Sequence, residues 1–425
     1  VTRISILTSG NILDRYRGQL KPPFPGEARS AFVRCQDSQA GRLDSPLERR
    51  LPMSPPAEKG PVEALLNMAG VRIDGDRPFD IQVLNDDFYR RVLAGGSLAL
   101  GESYMDGWWD CQALDQFFER IMAARLDEKV VKNSSLLWAA FKARLKNRSS
   151  RGRAFEVGTH HYDIGNDLFR RMLDRRMNYS CAWWPNADNL DTAQEAKLDL
   201  TCRKLMLKPG MRVLDIGCGW GAFVLYAAEH FQVEAVGVTV SREQVEYARQ
   251  QAGNLPVRIE LKDYRDIEGT YDRVLSIGMF EHVCVENYPV FMEAVHRCLA
   301  EDGLFLLHTI GGTESVRDVD PWISKYIFPN SMLPSVRQIA EAAENHLVLE
   351  DWHCFGPHYD PTLMAWYDNF CSTWDQIRDQ YDERFFRMWS YYLLSCAGSF
   401  RARRLQLWQI LFSKYGVRGG CPWAR

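Results

Sequence analysis

Asp215 stands just ahead of three alternating glycines in the run Val213-Leu214-Asp215-Ile216-Gly217-Cys218-Gly219-Trp220-Gly221. The spacing offers one ligand a carboxylate and a bare backbone turn together. Glycine lets the chain pass close to a ligand and adopt positive φ, and the N–H groups opening a following helix favour a ligand's polar end. Three ligand classes compete for such a turn. A phosphate loop needs Gly-Lys-Ser/Thr, and the chain has Gly221-Ala222-Phe223, so that class fails. A dinucleotide is harder to exclude, because Gly217, Gly219 and Ala222 satisfy G-x-G-x-x-G/A. It demands a carboxylate at the end of the second strand, where this chain has Thr239. S-adenosylmethionine suits the residues better, since Asp215 can orient a positively charged, amine-bearing ligand. Two more groups could do chemistry. Glu281 follows Gly278-Met279-Phe280 at a buried strand end, where an acid requires a partner. His308, within Leu306-Leu307-His308-Thr309-Ile310, reads equally as a packed ring or a functional one.

These residues need a scaffold, and the chain patterns one. MRVLDI is an apolar run leading into AFVLYAAEHF, which has helical periodicity. The sequence then gives strand VEAVGVTV, helix REQVEYARQQAG, strands VRIELKD and YDRVLSIGMF, helix YPVFMEAVHRCLA and strand GLFLLHTIG. Such alternation predicts a parallel, doubly wound α/β sheet, whose ligands bind beyond the carboxyl ends of the strands. The glycine turn, Thr239, Asp263, Glu281 and His308 all fall at predicted ends, with the strands of Glu281 and His308 as neighbours of the anchor strand. Upstream, TAQEAKLDLTCRKLML is an amphipathic helix; downstream, DPTLMAWYDNFCSTW and ERFFRMWSYYLLSCAGSF are aromatic-rich helices, with LQLWQILFSKY as a final strand. The aromatics predict a deep apolar pocket, although core packing explains any one of them.

At 425 residues and 46% hydrophobic content, the chain can bury one large core or two smaller ones. Residues 1–59, rich in Arg, Pro, Ser and Gly, read as a mostly disordered leader, part of which could be an upstream extension of no function. Residues 60–145 read as a small α/β domain serving either as scaffold or dimer surface or in substrate handling, and 146–425 as the catalytic domain. Lys142 to Arg153 holds six basic residues beside the apolar Trp138 to Phe141; it reads as a solvated linker, with docking on anionic headgroups as the alternative. A net charge of −3 predicts no general attraction to nucleic acid. Eleven scattered cysteines without a C-x-x-C pair argue against zinc and disulfide frameworks and fit a reducing cytoplasm. No apolar run approaches the length of a bilayer span.

The motifs LALGESYMDGWWDC, HYDIGNDLF, NYSCAWW, LDIGCGWG, GMFEHV, LLHTIG, YIFPN, LPS and HYDPTLMAWY together resemble the cyclopropane-fatty-acyl-phospholipid synthases, with the mycolic acid cyclopropane synthases as more distant relatives. The likeness runs from about residue 60 to the C-terminus. It implies a Rossmann-like, S-adenosylmethionine-dependent methyltransferase fold with helical insertions over the site. The implied reaction carries a methylene group from S-adenosylmethionine to the cis double bond of an unsaturated phospholipid acyl chain. A bound bicarbonate is the implied base. Position by position, Glu281 and His308 would hold that anion, Tyr367 would close it in, and the backbone at Cys181 and Ile310 would donate to it. Cys396 matches a cysteine regarded as a possible nucleophile, whereas a thiol on an apolar helix is ordinarily packing. For the cofactor, the resemblance implies Tyr179 and Ser180 at the methionine part and Val213, Asp215, Gly217, Gly219 and Gly221 around its carboxylate and amine. Thr239 and Gln244 would take the ribose, and Asp263 and Tyr264 the adenine. It also implies a cytoplasmic homodimer lying peripherally on the inner face of the cytoplasmic membrane. A related enzyme giving a methyl-branched or hydroxylated lipid is the alternative.

Overall fold

The computed structural model describes residues 56–126, 165–317 and 319–422. The parallel core follows from alternation along each strand. Val213 and Leu275 point to one side of the sheet and Leu214 and Val274 to the other, so the central strands are buried on both faces. A two-stranded ribbon pairs β1 (Ile81–Val83) with β2 (Trp109–Cys111). The main sheet comprises β3 (Arg212–Ile216), β4 (Glu234–Thr239), β5 (Val257–Leu261), β6 (Tyr271–Ile277), β7 (Leu299–Gly312), β8 (Val348–Cys354) and β9 (Leu405–Ser413), in the order β5-β4-β3-β6-β7-β9-β8.

Among the described residues, twelve α-helices accompany the two sheets. In chain order, α1 is Lys59–Met68, α2 Asp87–Met105, α3 Leu114–Ala123, α4 Asn166–Met172, α5 Leu190–Lys204 and α6 Ala222–Phe231. They continue with α7 Arg242–Ala252, α8 Tyr288–Cys298, α9 Pro321–Tyr326, α10 Val336–Ala343, α11 Tyr359–Thr373 and α12 Glu383–Arg401. Helices α8 and α10 cover the face carrying Leu214, Phe305 and Ile410. Helices α5, α6 and α7 cover the face carrying Val213, Leu304 and Leu411.

Three details depart from the sequence pattern. Strand β9 runs antiparallel to both β7 and β8, because the chain leaves α12 at the carboxyl edge of β7, where Leu405 pairs with Gly312. Strand β6 adjoins β3, but β7 lies one strand further out, so only one of the two expected neighbours touches the anchor strand. The sequence pattern predicts a helix DDFYRRVLAG that ends at its glycine, whereas the following stretch is helical too: α2 kinks at Gly96 (φ 59°) and resumes through Met105.

The N-terminal helices are packed onto α12. Phe118 packs edge-on against Tyr391 of α12 with ring centroids 5.0 Å apart, and Arg387 lies 4.0 Å from the Tyr104 ring centre. Arg401, at the end of α12, pairs with Asp115 of α3 at 2.7 Å and with Asp360 of α11 at 2.8 Å. The helices approach so closely at Gly398 that a Cβ there would stand 2.4 Å from the Asp115 carbonyl oxygen and 2.8 Å from the Phe118 Cβ. The expected boundary near 145, the basic run Lys142 to Arg153 and the leader up to residue 55 lie outside the described residues. Among the described residues, no helix is long and apolar enough to cross a membrane. Gly398→Val should lower stability by about 1–3 kcal/mol or more through overpacking. Urea unfolding reads this as a lower midpoint, and an unchanged midpoint would show that α3 does not rest on α12.

Candidate active site

The glycine turn leaves β3 under two constraints. Gly217 and Cys218 both donate to the Val238 carbonyl, at 2.9 and 3.0 Å, which ties the turn to β4. A Cβ on Gly217 would stand 2.6 Å from the Met279 side chain. Gly221 then takes φ 88° as the residue before α6, a left-handed conformation that glycine adopts without steric cost. Asp215 is 3% exposed, and its Oδ1 has no hydrogen-bond partner among the described residues. Desolvation pushes its carboxyl up to about 7, against the pull of Lys197. An orphaned, buried carboxylate oxygen beside an open backbone turn fits an incoming ammonium. Val213, by contrast, is packed into the core with Leu198 and Phe223, and its side chain takes no part in the turn.

The other cofactor candidates occupy the neighbouring strand ends. Thr239 Oγ1 donates to Gln244 Oε1 at 2.8 Å, so the structure joins the two residues expected at a ribose. Asp263 accepts from Arg265 Nε and Nη2, each at 2.8 Å. Its carboxylate is thus already engaged, and its pKa is held below the usual range, first by that hydrogen bond. Tyr264 rests on Phe291 with centroids 5.3 Å apart.

Helix α5 supplies residues that the sequence pattern did not single out. Gln194, Lys197, Thr201 and Lys204 recur at helical spacing, and all four are buried. Lys197 Nζ donates to Asn178 Oδ1 at 2.8 Å and to Ser180 Oγ at 3.0 Å. Gln194 Nε2 donates to the Ser180 carbonyl at 2.8 Å. Together they pin the Asn178-Tyr179-Ser180 segment beside the glycine turn. Burial pulls the Lys197 ammonium down to about 8, although Asp174 and Asp215 lie within electrostatic reach. The one available signal was this spacing of polar residues within a run otherwise read as having a solvated face.

His308 reaches the α5 side of the sheet through Gln409 and Thr201, and Glu281 follows the end of the neighbouring strand β6. His308 pairs with Ile277, the last residue of β6, so it sits level with that strand end although β7 continues to Gly312. Glu281, in a short 3₁₀ turn after β6, accepts from the Ile310 N–H at 2.6 Å through Oε1, while Oε2 is buried without a partner. The Ile310 amide, expected to face an anion, is therefore directed onto Glu281. Desolvation drives the Glu281 carboxyl up to about 7. His308 Nε2 is likewise buried without a partner. Desolvation, aided by the charges of Lys197, Lys204 and His353, holds the pKa of the ring well below its ordinary value and so keeps it uncharged at neutral pH.

Aromatic residues wall this end of the sheet. Tyr179 and Tyr392 share a 2.9 Å hydrogen bond, and the Tyr179 ring packs on Phe169, Trp366 and Phe328. Cys181 is fully buried, its thiol facing the Ala182 carbonyl and Thr362, and desolvation raises its pKa. Tyr367 is buried on α11, one residue beyond Trp366. The Cys396 thiol is pushed up to about 12 by desolvation, which keeps it protonated and a poor nucleophile. Tyr359 lies within electrostatic reach of Cys181, Tyr179, Glu281 and Cys396, so those groups belong to one region. Among the described residues, no cluster of His, Cys, Asp and Glu could hold a metal ion.

A mostly parallel sheet with this turn, and with an antiparallel strand inserted near one edge, defines an S-adenosylmethionine-dependent methyltransferase. Coclaurine N-methyltransferase bound to N-methylheliamine and SAH shares that fold at 23% identity and a TM-score of 0.58, over 74% of this chain and 98% of its own. The model of the mycolic acid cyclopropane synthetase family matches residues 149–410, and the chain belongs to that family. Cyclopropane-fatty-acyl-phospholipid synthase of Escherichia coli strain K12 is 55% identical over 361 residues, 85% of this chain and 94% of the relative. Tuberculostearic acid methyltransferase of Mycobacterium tuberculosis is 33% identical over 76% of this chain and 80% of its own. The mycolic acid cyclopropane synthase CmaA1, complexed with SAH and CTAB, is 33% identical with a TM-score of 0.56, over 61% of this chain and all of its own.

The raised pKa of Glu281 has a consequence for stability. A carboxyl whose folded value is about 7 against an ordinary 4.5 contributes stability that is complete below about 4.5 and is lost as pH rises towards 7. Glu281→Gln removes that loss. Its stability relative to wild type should climb between pH 4.5 and 7 by up to about 3 kcal/mol and level off above. Denaturant unfolding across that range checks this, and a difference independent of pH would mean that Glu281 is not desolvated.

Proposed function

We propose that this protein transfers a methylene group from S-adenosylmethionine to the cis double bond of an unsaturated phospholipid acyl chain, forming a cyclopropane ring and S-adenosylhomocysteine. The carrying observation is the pair of orphaned buried atoms, Glu281 Oε2 and His308 Nε2, set against an aromatic wall at the end of a methyltransferase sheet. The likeness to the Escherichia coli synthase, across nearly its whole length, supports the same reading.

The reaction's demands match these residues. S-adenosylmethionine supplies an electrophilic methyl carbon. As the alkene attacks it, the carbon–sulfur bond breaks, a carbon–carbon bond forms, and positive charge develops on the other alkene carbon. That cation must be kept from water, and the π faces of Tyr179, Trp366 and Phe328 can stabilise it. A proton then leaves the new methyl group as the ring closes. Asp215 and the turn at Gly217, Gly219 and Gly221 would hold the methionine end of the donor, with Tyr179 and Ser180 beside it; Thr239 and Gln244 would take its ribose and Asp263 and Tyr264 its adenine.

The proton needs an acceptor, and bicarbonate fits the two orphaned atoms. It would supply general base chemistry beside the reacting carbon. Glu281 and His308 would hold it, with Tyr367 and the backbone at Cys181 closing the site. Ile310 would act through Glu281 by fixing one of its carboxylate oxygens. Cys396 would serve as packing. The substrate being a membrane lipid, we place the enzyme, as a homodimer, peripherally on the inner face of the cytoplasmic membrane.

Purified protein, labelled S-adenosylmethionine and vesicles of unsaturated phospholipid should give fatty acids carrying one added ring methylene, resolved by mass and fragmentation. A methyl-branched or hydroxylated chain would transfer the assignment to a related lipid methyltransferase, and unlabelled lipid would refute it. In the same assay Glu281→Gln should bind S-adenosylhomocysteine normally while turning over about 10²-fold or more slowly.

A further inference from the structure

The two ring nitrogens of His308 have different surroundings, and the difference decides where its proton sits. Strand register sets His308 opposite Gln409 of β9, and Gln409 Nε2 lies 3.2 Å from His308 Nδ1. The same Nε2 lies 3.3 Å from Thr201 Oγ1 on α5. The only proton of the Thr201 hydroxyl is committed to the Lys197 carbonyl at 2.8 Å, so towards Gln409 that oxygen can only accept. The nitrogen end of the Gln409 amide therefore faces both neighbours, with one proton for each. With the amide turned round, its NH₂ group would lie where Gln409 Oε1 now has no partner. Two buried donors without acceptors cost more than one unmatched acceptor.

We infer that Gln409 is a positioning residue that donates to His308 Nδ1 and so fixes the proton of the ring on Nε2. His308 thus presents an N–H, not a lone pair, at the buried atom left without a protein partner. An N–H there can donate to an anion and cannot itself take the substrate's proton. Three features hold the arrangement. Thr201 anchors the far side of the amide, the ring of Phe355 lies edge-on to the imidazole at 5.4 Å, and nearby Lys197, Lys204 and His353 discourage a second proton. The identity of the anion rests on the function proposed above; the position of the proton does not.

The test uses the full chain labelled with ¹⁵N-histidine, with the His308 signals identified by their loss in His308→Gln. Two-bond ¹H–¹⁵N correlation spectra should show the Nε2–H tautomer at His308 in the ligand-free wild type. Gln409→Glu replaces the donor at Nδ1 with an acceptor and should move the proton to Nδ1. Its bicarbonate requirement should rise about tenfold or more, while its S-adenosylmethionine KM stays within about twofold. An Nδ1–H tautomer in the wild type, or an unaltered Nε2–H pattern in Gln409→Glu, would overturn the inference. Were turnover indifferent to bicarbonate while the spectra matched, the tautomer would stand and the choice of anion would fall. Bicarbonate dependence with an Nδ1–H wild type would leave the proposed reaction intact and refute the role of Gln409.

Discussion

Everything at this site depends on burying ionisable groups with too few partners. Helix α5 lays Gln194, Lys197, Thr201 and Lys204 against the sheet instead of turning them to water. Desolvating an ammonium and a carboxylate costs several kcal/mol per ion unless good hydrogen bonds offset it. Here the offset is partial. Lys197 has Asn178 and Ser180, whereas Asp215, Glu281 and His308 each retain one atom without a protein partner. Such atoms are unfavourable in the empty protein and favourable once a ligand meets them, so the fold stores specificity as unsatisfied polarity.

The same burial unites two tasks. Asp215 lies near the end of β3 and His308 on β7, with β6 between them, and α5 spans the gap on one face. Lys197 faces the Asn178–Ser180 segment, and Thr201, one turn on, reaches Gln409 and through it His308. A shift of α5 would therefore disturb the donor pocket and the anion site together. Aromatic residues from α11 and α12 exclude water from that region, and α2 and α3 brace α12 through Tyr104, Phe118 and the contact at Gly398. The N-terminal helices thus matter to the chemistry through the helix they hold.

Much of this was legible in the residues. Strand-turn-helix at Asp215 to Gly221, the alternation that follows, and the placing of Glu281 at a strand end all follow from periodicity and glycine chemistry. Four things were hidden. The antiparallel run of β9 is set by where α12 delivers the chain, which no local pattern encodes. The helix beyond Gly96 was masked by glycines that serve as a kink. The inward-facing polar residues of α5 looked solvated, because sequence hydropathy counts Lys197 and Lys204 as exposed whatever they meet. The engagement of Ile310 with Glu281 was equally invisible, since a backbone donor carries no residue signature.

The claim that Glu281 and His308 jointly face one anion is tested most directly by a crystal structure grown with S-adenosylhomocysteine and bicarbonate. The account predicts a planar, three-oxygen density within hydrogen-bond distance of both Glu281 Oε2 and His308 Nε2. Finding those two atoms paired with protein groups, or turned towards separate spaces with no density between them, would contradict it.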